Sequence, residues 1–169
     1  MLRRLLLMGL VLVSLASCSS FEDSLPPDLA VVVDEVRSEM ITALPRLAEC
    51  VSEATIEHAW ELDDRAQYLP ESGTVIVRVP ATEPQLRVSI VHELAYHVDL
   101  GCELAPRRAF LKSQGFVHGT TWKDGPSWEQ TPSEQFAVAV ALVVTGSNDS
   151  LRPVTIDEDT DALIKKWGS

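Results

Sequence analysis

Apolar residues recur at helical spacing in the first part of the chain, from Leu29 to about Ala48. Steps of three and four residues place them on one side of an α-helix. They are Val32, Val33, Val36, Met40, Ile41 and Leu44. Pro45 lies inside this run and should break or kink it, because proline has no amide hydrogen to donate. The pattern predicts a helix that is interrupted near its end.

The pattern then changes from helical spacing to alternation. In "GTVIVRV", residues 73–79, β-branched side chains alternate with others behind a turn signal at 70–73, which predicts a strand. A shorter strand is expected over Thr55–Trp60.

Helical patterns dominate the remainder. A helix should begin near Thr82, which has capping-box spacing to Gln85, and run to Leu100, with Gly101 as its C-terminal cap. Further helices are expected over 106–113, 132–144 and 157–167, with a loop over 116–130. The fold class predicted is α+β, with a small antiparallel or mixed sheet packed on the helix from Thr82 and a mainly helical C-terminal part.

The first 17 residues have the features of an export signal. Arg3 and Arg4 precede an apolar stretch, Leu5 to Leu15, that is too short to span a membrane. The stretch ends in "LASC", residues 15–18, which resembles the lipobox of bacterial lipoproteins. The resemblance implies cleavage before Cys18, a lipid on Cys18 and a place on the extracytoplasmic face of the cell membrane. The alternative is an ordinary secretory signal with Cys18 incidental.

These assignments divide the chain into a signal (1–17), a tether (18–28) and a single domain (29–169). The formal charge is −11, and the signal contains no acidic residue. Such an acidic chain shows no basic patch for phosphates, so nucleic acid is not an expected partner. Two cysteines remain beside Cys18. In an oxidising compartment, Cys50 and Cys102 are expected to form a disulfide, and two buried thiols are the alternative.

Candidate chemistry is concentrated in "SIVHELAYHVDLGC", residues 89–102. In the zinc-binding motif H-E-x-x-H, two histidines four residues apart hold one zinc ion, and the glutamate acts on the metal-bound water. Here His92 and Glu93 fit, but Tyr96 stands at the second histidine position and His97 follows it. On a regular helix His97 points about 140° away from His92. A π-bulge between them is the exception that would realign the two rings.

The segment from Ile90 to Cys102 resembles zincin helices of exported actinobacterial-type proteins, of the form "hVHELAHHhDhxC", where h is apolar. In those proteins the first histidine of the tandem pair binds the metal. The resemblance implies a zincin-like fold, zinc as cofactor, His92 as a ligand and Glu93 as the catalytic base. Tyr96 then replaces a ligand, and a role for either Tyr96 or His97 on the metal is doubtful.

Two further segments extend the resemblance over residues 50–145. "PSEQFA", residues 132–137, is similar to the "P-x-E-x-F-A" segment that supplies a glutamate ligand, which implies Glu134. A capping box with Thr131 explains Glu134 equally well. The stretch from Glu61 to His97 reads like the strand, turn, strand and active helix of the same group. In zincins the strand before that helix is the edge along which a peptide lies, so Thr74–Val79 is the expected substrate strand.

Two functional interpretations remain open from the sequence. In one, the chain is an active zinc metallopeptidase with an irregular metal site. In the other, zinc peptidase activity is impaired or absent because Tyr96 replaces a ligand, and the cleft binds a peptide or protein or only supports the fold. A structural or partner-binding lipoprotein without zincin ancestry is a minor third possibility. The chemistry favours the second interpretation, because a phenol is a poor replacement for imidazole on zinc.

Overall fold

The computed structural model describes residues 26–147 and 156–169. Residues 1–25, which include the expected signal, Cys18 and most of the tether, lie outside the described residues. Helix α1 spans Pro27–Ala43, so the last two residues assigned to the tether belong to the helix. A 3-10 turn at Pro45–Leu47 and helix α2, Ala48–Glu53, follow. The interruption falls at Pro45, as the apolar run predicted.

Three strands form one mixed sheet in the order β1-β3-β2. They are β1, Thr55–Ala59; β2, Ala66–Leu69; and β3, Thr74–Arg78. β1 runs parallel to β3, whereas β2 runs antiparallel to it. Val75 and Val77 of β3 have no exposed surface, because the strand is flanked on both sides and covered by α3.

The prediction that Thr74–Val79 is the substrate-facing edge strand is therefore wrong. Both hydrogen-bonding sides of β3 are used, one by β1 and one by β2. The edge strand near the helix is β2, which is only four residues long. A strong alternating pattern identified a strand correctly, but pairing partners come from the tertiary fold and not from the pattern of one strand.

The remaining elements are mostly helical. Helix α3 spans Glu83–Tyr96, and a π-helical turn follows at His97–Gly101. Then come α4, Arg107–Ser113; a 3-10 turn, Trp128–Gln130; α5, Pro132–Thr145; and α6, Glu158–Gly168. In the part of the chain just described, no helix has the length and apolar character to cross a membrane.

Helix α3 is shorter than the sequence predicted. The amide of Cys102 donates to the carbonyl of His97, a bond across five residues, where a regular helix would bond across four. The turn begins at His97, so it does not lie between His92 and His97 and does not realign the two rings. The start of α3 is as predicted: the Thr82 amide donates to Gln85 Oε1 at 3.2 Å, which is half of a capping box.

The core lies between α3, α5, α1 and the sheet. Leu94 and Val98 on one side and Phe136 and Val140 on the other are almost fully buried. This arrangement turns the opposite side of α3 towards β2 and the N-terminal end of α5. The residues that the sequence singled out, His92, Glu93, Tyr96 and Glu134, lie between these elements.

Candidate functional site

A cleft of about 510 Å³ lies between β2, α3 and the start of α5. It is lined by residues of α3 together with Trp128 and Glu134. The other lining residues are Asp64, Arg65, Ala66, Gln67, Tyr68, Val88, Ser89, His92, Glu93, Tyr96 and Leu100. The cleft thus collects His92, Glu93, Tyr96 and Glu134 from two segments about forty residues apart in sequence.

His92 and Glu134 are in direct contact across the cleft. Nε2 of His92 lies 3.1 Å from Oε2 of Glu134, and both side chains are largely buried. The His92 ring is stacked on Trp128, with centroids 5.9 Å apart and planes 17° from parallel. The capping box predicted at the start of α5 does not form, since Thr131 makes no side-chain cap bond and its hydroxyl donates to the Ser127 carbonyl. Glu134 therefore faces the cleft.

Glu93 lies beside this pair and contacts the edge strand. Burial raises the pKa of its carboxyl to about 7, the positive charge of His92 opposes that rise, and the negative charge of Glu134 adds to it. The carboxylate also accepts a hydrogen bond from the backbone amide of Tyr68. A group that titrates near neutrality in a cleft is suited to proton transfer, and it is also a general feature of functional sites.

Tyr96 occupies the position where a second histidine ligand would lie. Its hydroxyl is 3.4 Å from Oγ of Ser133, and its ring centroid is 5.6 Å from that of His92. The pKa of the phenol is raised, first by burial and then by the charge and hydrogen bond of Glu134. The hydroxyl consequently stays protonated at neutral pH, and a neutral phenol is a weak metal ligand.

His97 lies on the other side of α3, away from the cleft. Nε2 is 3.0 Å from the Cys50 carbonyl, and Nδ1 is 3.1 Å from the Tyr68 hydroxyl. A carbonyl only accepts, so Nε2 carries the hydrogen and Nδ1 accepts from the hydroxyl. Burial lowers the pKa of this imidazole, which is consistent with a neutral ring whose two nitrogens are both satisfied. His97 is thus a structural histidine in this state.

The disulfide lies against His97. Cys50 on α2 is bonded to Cys102, the first residue after the π-helical turn. The covalent link and the His97 hydrogen bond to the Cys50 carbonyl hold the same two segments together. Gly101 allows this packing, because a Cβ atom there would meet the Tyr68 hydroxyl at 2.7 Å and Nδ1 of His97 at 2.9 Å.

The loop that carries Trp128 is tied to the π-helical turn through Asp99. This buried carboxylate accepts from Nε of Arg107 at 2.6 Å and from Nε1 of Trp122 at 2.7 Å. The Trp122 carbonyl in turn accepts from the amide of Ser133, one residue before Glu134. A continuous chain of hydrogen bonds therefore places the start of α5 relative to α3.

The donor set in the cleft falls short of a catalytic zinc site. Such sites use three protein ligands and leave the fourth position to water. Here one imidazole and one carboxylate converge, from His92 and Glu134, and the third position holds the protonated phenol of Tyr96. Within residues 26–147 and 156–169, three suitable ligand atoms come within 4.8 Å of one another only at Cys50, His97 and Cys102.

One residue of the site, Tyr68, was not indicated by the sequence. Tyr68 holds Glu93 by its amide and His97 by its hydroxyl, and its strand is too short for a clear alternating signal. Trp128 could be assigned to the cleft wall or the core, and the structure separates it from Trp122, which packs on Phe110 and Phe136. His58 on β1 and the loop residue His118 take no part in the cleft.

The likeness to zincins rests on short sequence motifs. The α+β class and the small mixed sheet are present. The zincin-like assignment remains a prediction from the sequence resemblance. Comparison with protein-family models, with curated proteins and with solved structures finds no match.

Proposed function

We propose that this chain is a lipid-anchored, extracytoplasmic zincin-like protein that keeps the cleft of a zinc peptidase and has lost its metal centre. In this proposal the cleft binds an extended peptide or protein segment without cleaving it. Tyr96 carries the argument: it lies beside Ser133 and Glu134, where a ligand belongs, and its phenol is held in the protonated form.

The edge of β2 supports the binding role. The Arg78 amide donates to the Arg65 carbonyl, so residues 65, 67 and 69 direct their backbone groups to β3. Residues 66 and 68 consequently direct theirs to the other side, where the cleft lies. An extended peptide adds to such an edge through main-chain hydrogen bonds and places alternate side chains in the adjoining cleft.

Glu93 has a role in this proposal that requires no metal. Its carboxylate accepts a hydrogen bond from the Tyr68 amide. The amide of one of the two outward-facing residues of β2 is therefore already bonded. A peptide carbonyl that pairs with Tyr68 would compete with Glu93 for the same amide. A peptide must therefore displace the Glu93 carboxylate before it can pair with the Tyr68 amide, and the free energy of that displacement opposes binding.

The proposed loss of the metal centre can be tested by restoring the zinc-binding motif H-E-x-x-H. Tyr96→His restores H-E-x-x-H with His92, and we expect it to raise zinc affinity by at least about a hundredfold, because a third ligand fixes geometry as well as adding a bond. Competition with a chromophoric chelator measures the affinity. The gain should disappear when His92→Ala is added and shrink when Glu134→Gln is added.

His97→Ala is the matched control, because that ring lies on the far side of α3. It should leave the zinc affinity of Tyr96→His unchanged. If the wild-type protein already binds one zinc tightly through Tyr96 and hydrolyses peptides, the centre is intact and the active-peptidase interpretation is correct.

Peptide binding is tested with a randomised heptapeptide pool on the immobilised protein. Ala66→Pro removes an amide that faces the cleft side, a substitution that an edge strand tolerates, and it should reduce peptide retention. Trp60→Ala, which removes an exposed aromatic ring after β1, controls for non-specific apolar capture and should have no effect. No retention by the wild-type protein, or equal retention by Ala66→Pro, would contradict the proposal.

A further inference from the structure

Cys50, His97 and Cys102 form a second group of ligand atoms, separate from the cleft. One ligand atom from each residue lies within 4.8 Å of the other two. Cys50 and His97 are buried, and Cys102 is partly buried. The two sulfur atoms are bonded to each other, so in the oxidised chain they are not available to a metal.

We propose that the reduced chain binds one thiophilic metal ion, Zn²⁺ or a similar soft cation, through Cys50, Cys102 and His97. The metal and the disulfide would be alternative links at one place in the fold. In this proposal His97 is a metal ligand together with two thiolates, and it does not share a metal ion with His92. This inference does not depend on the function proposed for the cleft.

The spacing of the imidazole and the sulfur suits a metal. Zinc binds thiolate sulfur at about 2.3 Å and imidazole nitrogen at about 2.0 Å, so a tetrahedral ion separates the two atoms by about 3.5 Å. Nε2 of His97 lies 3.7 Å from Sγ of Cys102. The two sulfur atoms must also move apart, and reduction removes the bond that prevents this.

The second nitrogen of His97 already has a suitable partner. A metal-bound histidine usually donates its other N–H to an oxygen that fixes the tautomer. Nδ1 lies 3.1 Å from the Tyr68 hydroxyl, which donates in the oxidised state and can equally accept. Metal at Nε2 would move the ring hydrogen to Nδ1 and break the hydrogen bond to the Cys50 carbonyl, while the contact with Tyr68 would be kept.

The reaction balances with a dithiol as the reductant. The dithiol gives two electrons and two protons to the Cys50–Cys102 bond, which leaves two thiols and a cyclic disulfide of the reagent. Binding of a divalent ion then replaces the two thiol protons, which are released to solvent. Reoxidation by a disulfide reagent, which takes two electrons from the two thiolates and two protons from solvent and leaves as two thiols, restores the Cys50–Cys102 bond and releases the metal. An exported chain would pass through both states, because its thiols are reduced before it leaves the cell.

The test uses the full chain carrying Cys18→Ser, so that two thiols at most can bind. The chain is reduced anaerobically, freed of reductant and titrated with Co²⁺ and then with Zn²⁺. We expect one thiolate-bound metal per reduced chain, with a thiolate-to-cobalt charge-transfer band that the oxidised chain does not show. His97→Gln should weaken zinc binding by at least about tenfold, whereas His92→Gln should leave it unchanged.

Several outcomes would overturn the inference. They are absence of the charge-transfer band in the reduced chain, the same band in the oxidised chain, and an affinity of the thiolate site that is unaffected by His97→Gln. Circular dichroism accompanies each titration. If reduction unfolds the chain, zinc should restore the helical signal, and failure to restore it would also refute the site.

Discussion

The functional side chains of α3 and of the π-helical turn that follows it point in two directions. His92, Glu93 and Tyr96 face the cleft, and His97 faces the disulfide. Tyr68 contacts both sets, because its amide is held by Glu93 and its hydroxyl by His97. One tyrosine of β2 thus couples the cleft to the structural side of the helix.

The raised pKa of Glu93 predicts how stability depends on pH. The folded-state pKa of about 7 lies above the ordinary value of 4.5, so the folded protein binds this proton more tightly than the unfolded chain. The resulting stabilisation is complete below pH 4.5 and is lost as the pH rises through 7. The shift corresponds to roughly 3 kcal/mol of unfolding free energy.

Glu93→Gln removes this titration and keeps an acceptor for the Tyr68 amide. We expect the variant to match the wild type near pH 4.5 and to exceed it by roughly 2–3 kcal/mol at pH 8. Urea unfolding with a metal chelator present measures the difference. Glu57→Gln, an exposed change on β1, should show no such rise. A Glu93→Gln advantage that stays constant with pH would contradict the assignment.

At the scale of elements, the π-helical turn after Tyr96 determines where His97 and Cys102 point. Gly101 lies in this turn, and the Tyr68 hydroxyl and the His97 ring occupy the space next to its Cα. No larger residue fits without moving one of these groups. The turn, the edge strand and the disulfide therefore depend on a single small residue.

Gly101→Ala should destabilise the fold by about 1–3 kcal/mol, the usual range for overpacking. The double variant with Tyr68→Phe should recover part of that loss, because the phenyl ring lacks the oxygen nearest to the new methyl group. Gly115→Ala is the control for a glycine with open space around it, where only its positive φ opposes alanine. Thermal unfolding measures the wild type, the two single variants Gly101→Ala and Tyr68→Phe, their double variant, and Gly115→Ala. Additive losses in the double variant would argue against the contact.

The elements differ in how far the sequence could predict them. The bounds of α5 follow from Pro132 at the start and Gly146, with φ 68°, at the end. The strand β3 was predicted from the alternation of its β-branched side chains with other residues. The strand β2 could not be found this way, because "AQYL" is too short to show a period. The π-helical turn depends on bonds from His97 to distant residues, which no local pattern contains.

The same limit applies to the site. Contact between His92 and Glu134 was expected from the resemblance of two separate motifs, and the structure puts their side chains 3.1 Å apart. The identity of the edge strand was predicted wrongly, since that property belongs to the sheet as a whole. The role of Asp99 could not be predicted from the sequence, because its hydrogen-bond partners Arg107 and Trp122 lie in different segments of the chain.

At the scale of the whole molecule, the disulfide joins segments 52 residues apart. We expect Cys50→Ser and Cys102→Ser to lower the unfolding free energy by similar amounts, roughly 2–5 kcal/mol each. The double variant should lose about as much as either single one, because both remove the same bond. Chemical denaturation under non-reducing conditions measures the three variants. Unequal single losses, or wild-type thiols that react without reductant, would refute the link.

The proposed membrane anchor is Cys18, which lies outside the described residues. If Cys18 carries a lipid, Cys18→Ala should abolish incorporation of labelled palmitate and release the protein from the membrane fraction. Cys50→Ser is the matched control, since that sulfur belongs to the disulfide, and labelling should persist. A mature N-terminus several residues beyond Cys18, found by mass spectrometry, would contradict the anchor.

The covalent loop closed by Cys50 and Cys102 also has a mechanical consequence. It encloses the three strands and α3, and therefore His92, Glu93 and Tyr96, whereas Glu134 lies outside it. Tension applied between the two ends of the chain would pass from one cysteine to the other through the sulfur–sulfur bond. The enclosed segment would carry no load, and stretching the oxidised chain should yield a contour length shorter by roughly 170 Å than the reduced chain.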